Sequence, residues 1–490
     1  MSGNGKKKMN KRMVTLLIGL AAILLLCGAL VLLLQNDGGE DASSIPDSSD
    51  AKYLVTDKSA EDVKSIVVTN PTGTYTVAKR GEDYVVESYL AENGETVSVP
   101  GDVLFASTAI ESFADSIFTA TITETLEGAA DNLALYGLQN PQISVAVSYT
   151  DGTGFAFDIG SEAPDATSYY VYNPAAKEVG LIAKSSLSRA GNAKETYVEK
   201  TLVPTPGEDE VYADTVVLGG SVRPEEIVLE AVYTQDEETN AAIMGGYRVT
   251  APKNKDVDVN NTAFLAEGLW GAQAAAAVTI APTEEQLAEA GLAEPYSTLH
   301  LTYAGKTLEL KLGNKNADGK YYCTTTENNA IFLVGADVVP WAEYTAFNMY
   351  YKLVQVPHIA TVSALTVEFD GKAYRFDLTH GEESELTVSS GGKDVPDEAF
   401  RSFYQLIISA KGEYEAGEIA EGAQSQMKFT YEFADRQTPD SVVEFFPLTD
   451  RRSAIVADGD LTFAVRSLYV DKVKASIDSV LAGEKVVISW

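Results

Sequence analysis

The sequence predicts an α+β protein: a single N-terminal transmembrane helix followed by tandem repeated modules of antiparallel β-meander plus helix. Three observations predict it. Residues 13–34 form an apolar run without a charge. A block ending in Gly-Leu-x-x-Pro occurs twice, 154 residues apart. Around each copy, apolar residues alternate with a period of two, and helical spacing appears upstream.

Met13 to Leu34 is 22 residues long. At about 1.5 Å per residue it crosses a hydrocarbon layer of about 30 Å. Lys6, Lys7, Lys8, Lys11 and Arg12 precede it, and Asp37, Glu40 and Asp41 follow. The positive-inside rule makes residues 1–12 a cytoplasmic basic tail and sends the C-terminal ectodomain outside, a single-pass arrangement in the cytoplasmic membrane. The run exceeds the apolar region of a cleaved signal peptide, and no A-x-A site closes it. Leu26 occupies the position before Cys27 where a lipidation signal has a small residue, so Cys27 is expected to pack in the membrane. Residues 35–52 are small, polar and acidic, the composition of a flexible stalk, which is taken to span 35–58.

Of the 490 residues, 37 are Lys or Arg and 71 are Asp or Glu. Setting aside the five basic residues before the apolar run leaves 32 against 71, a net charge of −39. Such a chain repels phosphates, which excludes a nucleic-acid partner. Cys27 and Cys323 are the two cysteines, one in the apolar run and one far outside it, so no disulfide is expected.

The repeat defines the rest. Leu133-x-x-Tyr136-Gly137-Leu138-x-x-Pro141 recurs as Leu287-x-x-Ala290-Gly291-Leu292-x-x-Pro295. Val145, Val147 and Tyr149 fall on Leu299, Leu301 and Tyr303, Gly160 on Gly313, Tyr169-Tyr170 on Tyr321-Tyr322, and residues 179–182 on 331–334. The alternation of Ile143, Val145, Val147 and Tyr149 predicts a strand, Asp151-Gly152 a hairpin turn, and Phe155, Phe157 and Ile159 the returning strand. Gly-Leu-x-x-Pro reads as a helix end followed by an extended entry.

Upstream, residues 65–68, 74–77 and 84–86 predict short strands, matched in the second copy by 226–229 and 247–249. Val103, Ser107, Ile110, Phe113 and Ile117 predict a helix, matched by a weaker one around 261–272. A divergent third copy starts near Ala364, with Phe400, Phe403, Tyr404 and Ile407 on one helix face. Val470, Val473, Ile477 and Val480 mark a closing helix. Three α+β units follow: 59–205, 206–355 and 356–490.

Motifs for chemistry are sparse. His300, His358 and His380 have no nearby His partner at zinc-binding spacing. Cys323 sits in a strand. No phosphate-binding loop or nucleophile elbow occurs. Asp256-x-Asp258-x-Asn260 with Glu267 copies four positions of a calcium loop. However, Asn261 replaces its glycine, and a helix cap accounts for the same residues. Asp458-Gly459-Asp460 reads as a hairpin turn. No catalytic, cofactor-binding or metal residues are therefore assigned, no cofactor is expected, and the chain is read as non-enzymatic.

At the Gly-Leu-x-x-Pro blocks, over roughly residues 60–345, the chain resembles the bacterial family known as domain of unknown function 4340. Its pattern reads here as Tyr136-Gly137-Leu138-x-x-Pro141, Asp151-Gly152, Ile159-Gly160, Tyr169-Tyr170 and Val179-Gly180-Leu181-Ile182. The second unit matches with Ala290 substituted, and the third departs from the pattern. The family has no established catalytic residues. The resemblance implies an accessory or scaffold role beside ABC transporter subunits of the gliding-motility type. Two other readings compete. One is a binding module for cell-wall polymer or an extracellular ligand, using Tyr169, Tyr170, Tyr321 and Tyr322. The other is an envelope hydrolase with paired carboxylates.

Overall fold

The computed structural model describes residues 52–207, 212–235, 242–266, 268–382 and 385–490. The expected α+β class is overturned: 43% strand against 21% helix, almost all in large antiparallel sheets, makes this a predominantly β protein. The excess of strand comes from short strands at or next to the sheet edges that carry too little alternation to be read, such as Thr121–Leu126, Ala276–Ile280 and Lys255–Asp256. The weaker helix expected around 261–272 also shrinks to the single turn Ala263–Ala266. Among the described residues, no helix is long and apolar enough to cross a membrane. The predicted transmembrane helix 13–34, the basic tail 1–12 and most of the stalk lie outside them. The end of the stalk is corrected: Lys52–Tyr53 pairs with Thr121 and Ile122, and Leu54 is buried.

The described residues form two compact units, one of residues 52–71 and 111–191, the other of 72–110 and those from 192 onward. In the first, the strand order is Lys52–Tyr53, Thr121–Leu126, Glu178–Ala183, Ser168–Asn173, Gly154–Glu162, Ile143–Tyr149 and Val63–Asn70. Val145 lies opposite Phe157 and Val147 opposite Phe155, all but Phe155 buried, so one face of the meander is core. At its turn the Asp151 carboxylate accepts from Lys58 Nζ at 2.6 Å and from the Thr153 amide at 2.9 Å. The Lys58 hydrogen bond, more than any other group, holds this carboxyl below the usual range.

The second unit holds two nine-stranded sheets. One runs Ala276–Ile280, Asn328–Val334, Tyr321–Thr325, Lys306–Lys315, Ser297–Tyr303, Thr215–Gly219, Ile227–Gln235, Ala242–Ala251, Lys255–Asp256. The other runs Tyr414–Glu415, Asp460–Arg466, Arg452–Ala457, Ser441–Thr449, Met427–Phe433, Val362–Phe369, Lys372–His380, Leu386–Ser390, Lys393–Val395. The two orders coincide strand for strand, so the divergent third copy is a true counterpart of the second. The first unit repeats six of the same places. One match shifts. Thr215–Gly219, not 226–229, is the counterpart of Val63–Asn70, because Val216 pairs with Leu301 as Ile66 pairs with Val147. Both runs are apolar and β-branched, and only the pairing separates them.

In the third module, helices Asp397–Ile408 and Ser467–Leu481 bury the faces their spacing predicts, packing Phe400 on Phe376 at 5.3 Å and Tyr469 on Phe445 at 5.5 Å. Each such large buried side chain contributes about 1.5–3 kcal/mol. The connection between second and third modules is paired on both sides. The Tyr351 amide donates to Asp256 O and the Val354 amide to Ala410 O, while the Gly412 amide returns a bond to Lys352 O. Residues 350–354 thus stitch two sheets into one body.

Candidate functional site

That stitched connection borders a cleft of about 390 Å³ in the second unit. One wall begins at Gly219-Gly220. Gly220 has φ +98°, and a β-carbon there would meet the Ser297 backbone, so glycine is required. The turn delivers Arg223, which is 7% exposed. Its Nε donates to Tyr344 O, Nη1 to Gly219 O and Ser297 Oγ, and Nη2 to Trp341 O and Ala342 O. All five guanidinium N–H groups find oxygens, none of them a carboxylate. Burial pushes the Arg223 pKa down to about 10, which leaves it charged at neutral pH. The residue clamps the 341–344 turn to the sheet.

The opposite wall is aromatic. Thr345 and Asn348 form a reciprocal cap that starts the helical turn Ala346–Met349 and sets out Phe347 and Tyr350. Phe463, from the third module, meets Phe347 edge-on at 5.9 Å and Tyr350 at 6.3 Å. Lys255 Nζ lies 4.7 Å over the Phe463 ring and Lys352 Nζ 4.4 Å over Phe347. Burial is the main cause that lowers both lysine pKa values. Tyr350 is 6% exposed, and its buried hydroxyl makes no well-formed hydrogen bond, though the Lys253 backbone amide is near. A buried phenol without a partner is costly. Glu225, Glu415 and Lys253 complete the lining.

None of these residues stood out in the sequence as chemistry. The signal was the aromatic run Trp341 to Tyr351 beside a seam, together with a double glycine before an arginine. The residues weighed as candidates lie elsewhere. His300 is exposed, 3.9 Å from Glu309; His358 Nδ1 caps the turn Ile359–Thr361; and His380 Nε2 lies 2.8 Å from Val362 O. Cys323 is fully buried, and burial pushes its thiol pKa up, away from the thiolate. Asp256 pairs with Arg248, Asp258 caps the turn Val259–Asn261, and Glu267 lies outside the described residues. Among the described residues, no group of three or more His, Cys, Asp or Glu could hold a metal ion. Asp458 and Gly459 form the expected hairpin turn, at φ 49° and 87°. Tyr321 is corrected: it is 1% exposed and donates to Glu343, so it offers no stacking face.

Repeated strand order and a paired connection define a tandem-module antiparallel β protein. Within it, residues 96–269 match the model of the family described as Domain of unknown function (DUF4340), so the resemblance read at the Gly-Leu-x-x-Pro block holds over this stretch. The match starts at strand Thr96–Ser98 and ends beyond the turn Ala263–Ala266, just short of the second block. It therefore spans one full repeat, cut in a different phase from the three predicted units. No curated protein matches the chain.

Proposed function

We propose that this protein is a non-enzymatic extracytoplasmic accessory or scaffold protein of an ABC transporter complex, held at the cytoplasmic membrane by the apolar segment 13–34. The observation that supports it best is the connection at residues 350–354, which pairs with both neighbouring sheets and makes a stiff platform of two modules. Stiffness over such a length suits a protein that holds other subunits at fixed spacing. Crosslinking of the full chain in membranes, followed by detergent extraction and pull-down, should recover ABC transporter subunits. Recovery of none would sink the reading.

A second reading has its own support. The Phe347, Tyr350 and Phe463 wall and the polar rim suit a ring-bearing, hydroxyl-rich segment of cell-envelope polymer. The full chain in detergent should then sediment with purified cell wall, and Phe347→Ala should reduce the bound fraction at least tenfold. Glu225 and Glu415 both line the cleft, so release of reducing sugar that Glu225→Gln abolishes would replace binding with hydrolysis.

A further inference from the structure

The two Gly-Leu-x-x-Pro turns carry small satellite cores that correspond residue by residue. In the first unit Leu138 and Val179 are joined by Leu126, Leu133, Tyr136, Tyr170 and Tyr172. In the second unit Ala290, Leu292 and Ile331 are joined by Leu287 and Tyr322. Leu133, Leu138, Tyr170 and Val179 have their counterparts in Leu287, Leu292, Tyr322 and Ile331. Three large members do not. Tyr136 becomes Ala290, Tyr172 becomes Thr324, and Leu126, which pairs with Val179, becomes Thr279, which pairs with Ile331.

The lost volume has not closed up. A cavity of about 300 Å³, open on one side, remains beside Tyr322, between Ala290, Thr279 and Ile331. In the first unit the corresponding place holds a ring: Tyr136 meets Tyr170 edge-on, centroids 4.9 Å apart at 62°. The rim differs in charge as well. Glu289 stands at the cavity where the first unit has Leu135, and Glu284 and Glu285 lie on the same exposed helix.

We propose that this cavity is a docking site for an aromatic side chain carried next to a positive charge on a partner polypeptide, the incoming ring taking the place on Tyr322 that Tyr136 takes on Tyr170. Edge-to-face aromatic packing supplies the attraction beyond burial, and the Glu289 carboxylate selects the cationic neighbour. The site is independent of the cleft at Tyr350 and does not rest on its occupant.

The probe is tyramine, a phenol with an ammonium group, followed by saturation-transfer NMR on the full chain in detergent. Tyramine should bind, and 4-hydroxyphenylacetate, its anionic analogue, should bind at least fivefold more weakly. Ala290→Tyr rebuilds the first unit's ring pair and should reduce tyramine affinity at least tenfold without lowering the melting temperature. Should that variant misfold, Glu289→Lys serves instead and should reverse the preference between the two probes. Tyramine binding unaffected by both substitutions, no binding at all, or displacement by a neutral cell-wall oligosaccharide but not by a Lys-Tyr-Lys peptide would each overturn the proposal.

Discussion

The satellite cores of the first and second units share a backbone and differ in filling, and the difference shows which part of a repeat is constrained. Gly137 and Gly291 both end their helical segments in the left-handed region, at φ 69° and 73°. The amides of Leu138 and Leu292 close back onto Leu133 O and Leu287 O at 3.0 and 2.8 Å. Gly160 and Gly313 lie under these turns, where a β-carbon would strike the carbonyl oxygens of Tyr136 and Ala290. Backbone against backbone cannot relax, so the glycines persist in both copies. Side chains facing the rim can relax, and Tyr136 has become Ala290 without disturbing the turn.

The largest effects should therefore come from the glycines. Gly313→Val and Gly160→Val should each cost about 3 kcal/mol, since the chain must move aside in a packed region. Urea unfolding of the full chain in detergent measures this. A Gly313→Val protein that unfolds no earlier than wild type would mean that the carbonyl approach does not constrain the turn.

Leucine truncation comes next and separates the two cores. Leu138 sits among Leu126, Leu133 and three tyrosines, whereas Leu292 belongs to a smaller cluster whose other members, Ala290, Ile331 and Tyr322, border an existing cavity. Leu138→Ala should cost about 3 kcal/mol and Leu292→Ala about 2 kcal/mol, because the first removes more contacts. Equal losses would mean that the second core has already collapsed around its vacancy in solution.

The same contrast explains what could be read from the sequence. The turn, the meander and the two helices of the third module were legible because each depends on local signals: a glycine after a helix, alternation, a 3.6-residue face. Thr215–Gly219 was mismatched because its identity lies in pairing with Ser297–Tyr303, a contact no local pattern encodes. The cleft was illegible for the same reason. Arg223, Phe347, Tyr350 and Phe463 come together from segments up to 240 residues apart, brought to one place by the Arg223 clamp on 341–344 and the stitch at 350–354.

A smaller effect distinguishes the second module from the third under alkali. Burial raises the pKa values of Tyr404, Tyr431 and Tyr469 in the third module, and those of Tyr247 (to about 12), Tyr321 and Tyr350 in the second. These phenols keep their protons in the folded state while the unfolded chain ionises near 10. Their contribution is full below pH 10 and is lost as pH rises towards the folded values. Arg223 acts in the opposite sense: its folded pKa, about 10, lies below the unfolded 12.5, so its destabilising contribution fades above pH 10. At pH 11 Tyr247, Tyr404, Tyr431 and Tyr469 should each remove about 1.4 kcal/mol. The third module, whose Tyr431 and Tyr469 are pushed well above the usual value and which has no such arginine, should lose protection first in hydrogen exchange. Simultaneous loss in both modules would contradict the assignment.

The smallest expected effect is the most discriminating for the paired cores. Tyr136→Ala places in the first unit the residue that the second already has. Tyr136 is half-buried, so the lost edge-to-face contact and area should cost about 1 kcal/mol. The substitution should open a slot beside Tyr170, but its rim carries the exposed Leu135 in place of Glu289. The variant should therefore gain a second phenol site that binds p-cresol and tyramine equally, while the native site continues to prefer tyramine. A new site with the same preference for the cation would move the source of selectivity from Glu289 to the aromatic ring. No new site would mean that loss of the Leu126 and Tyr172 counterparts, rather than of the ring alone, opened the cavity in the second unit.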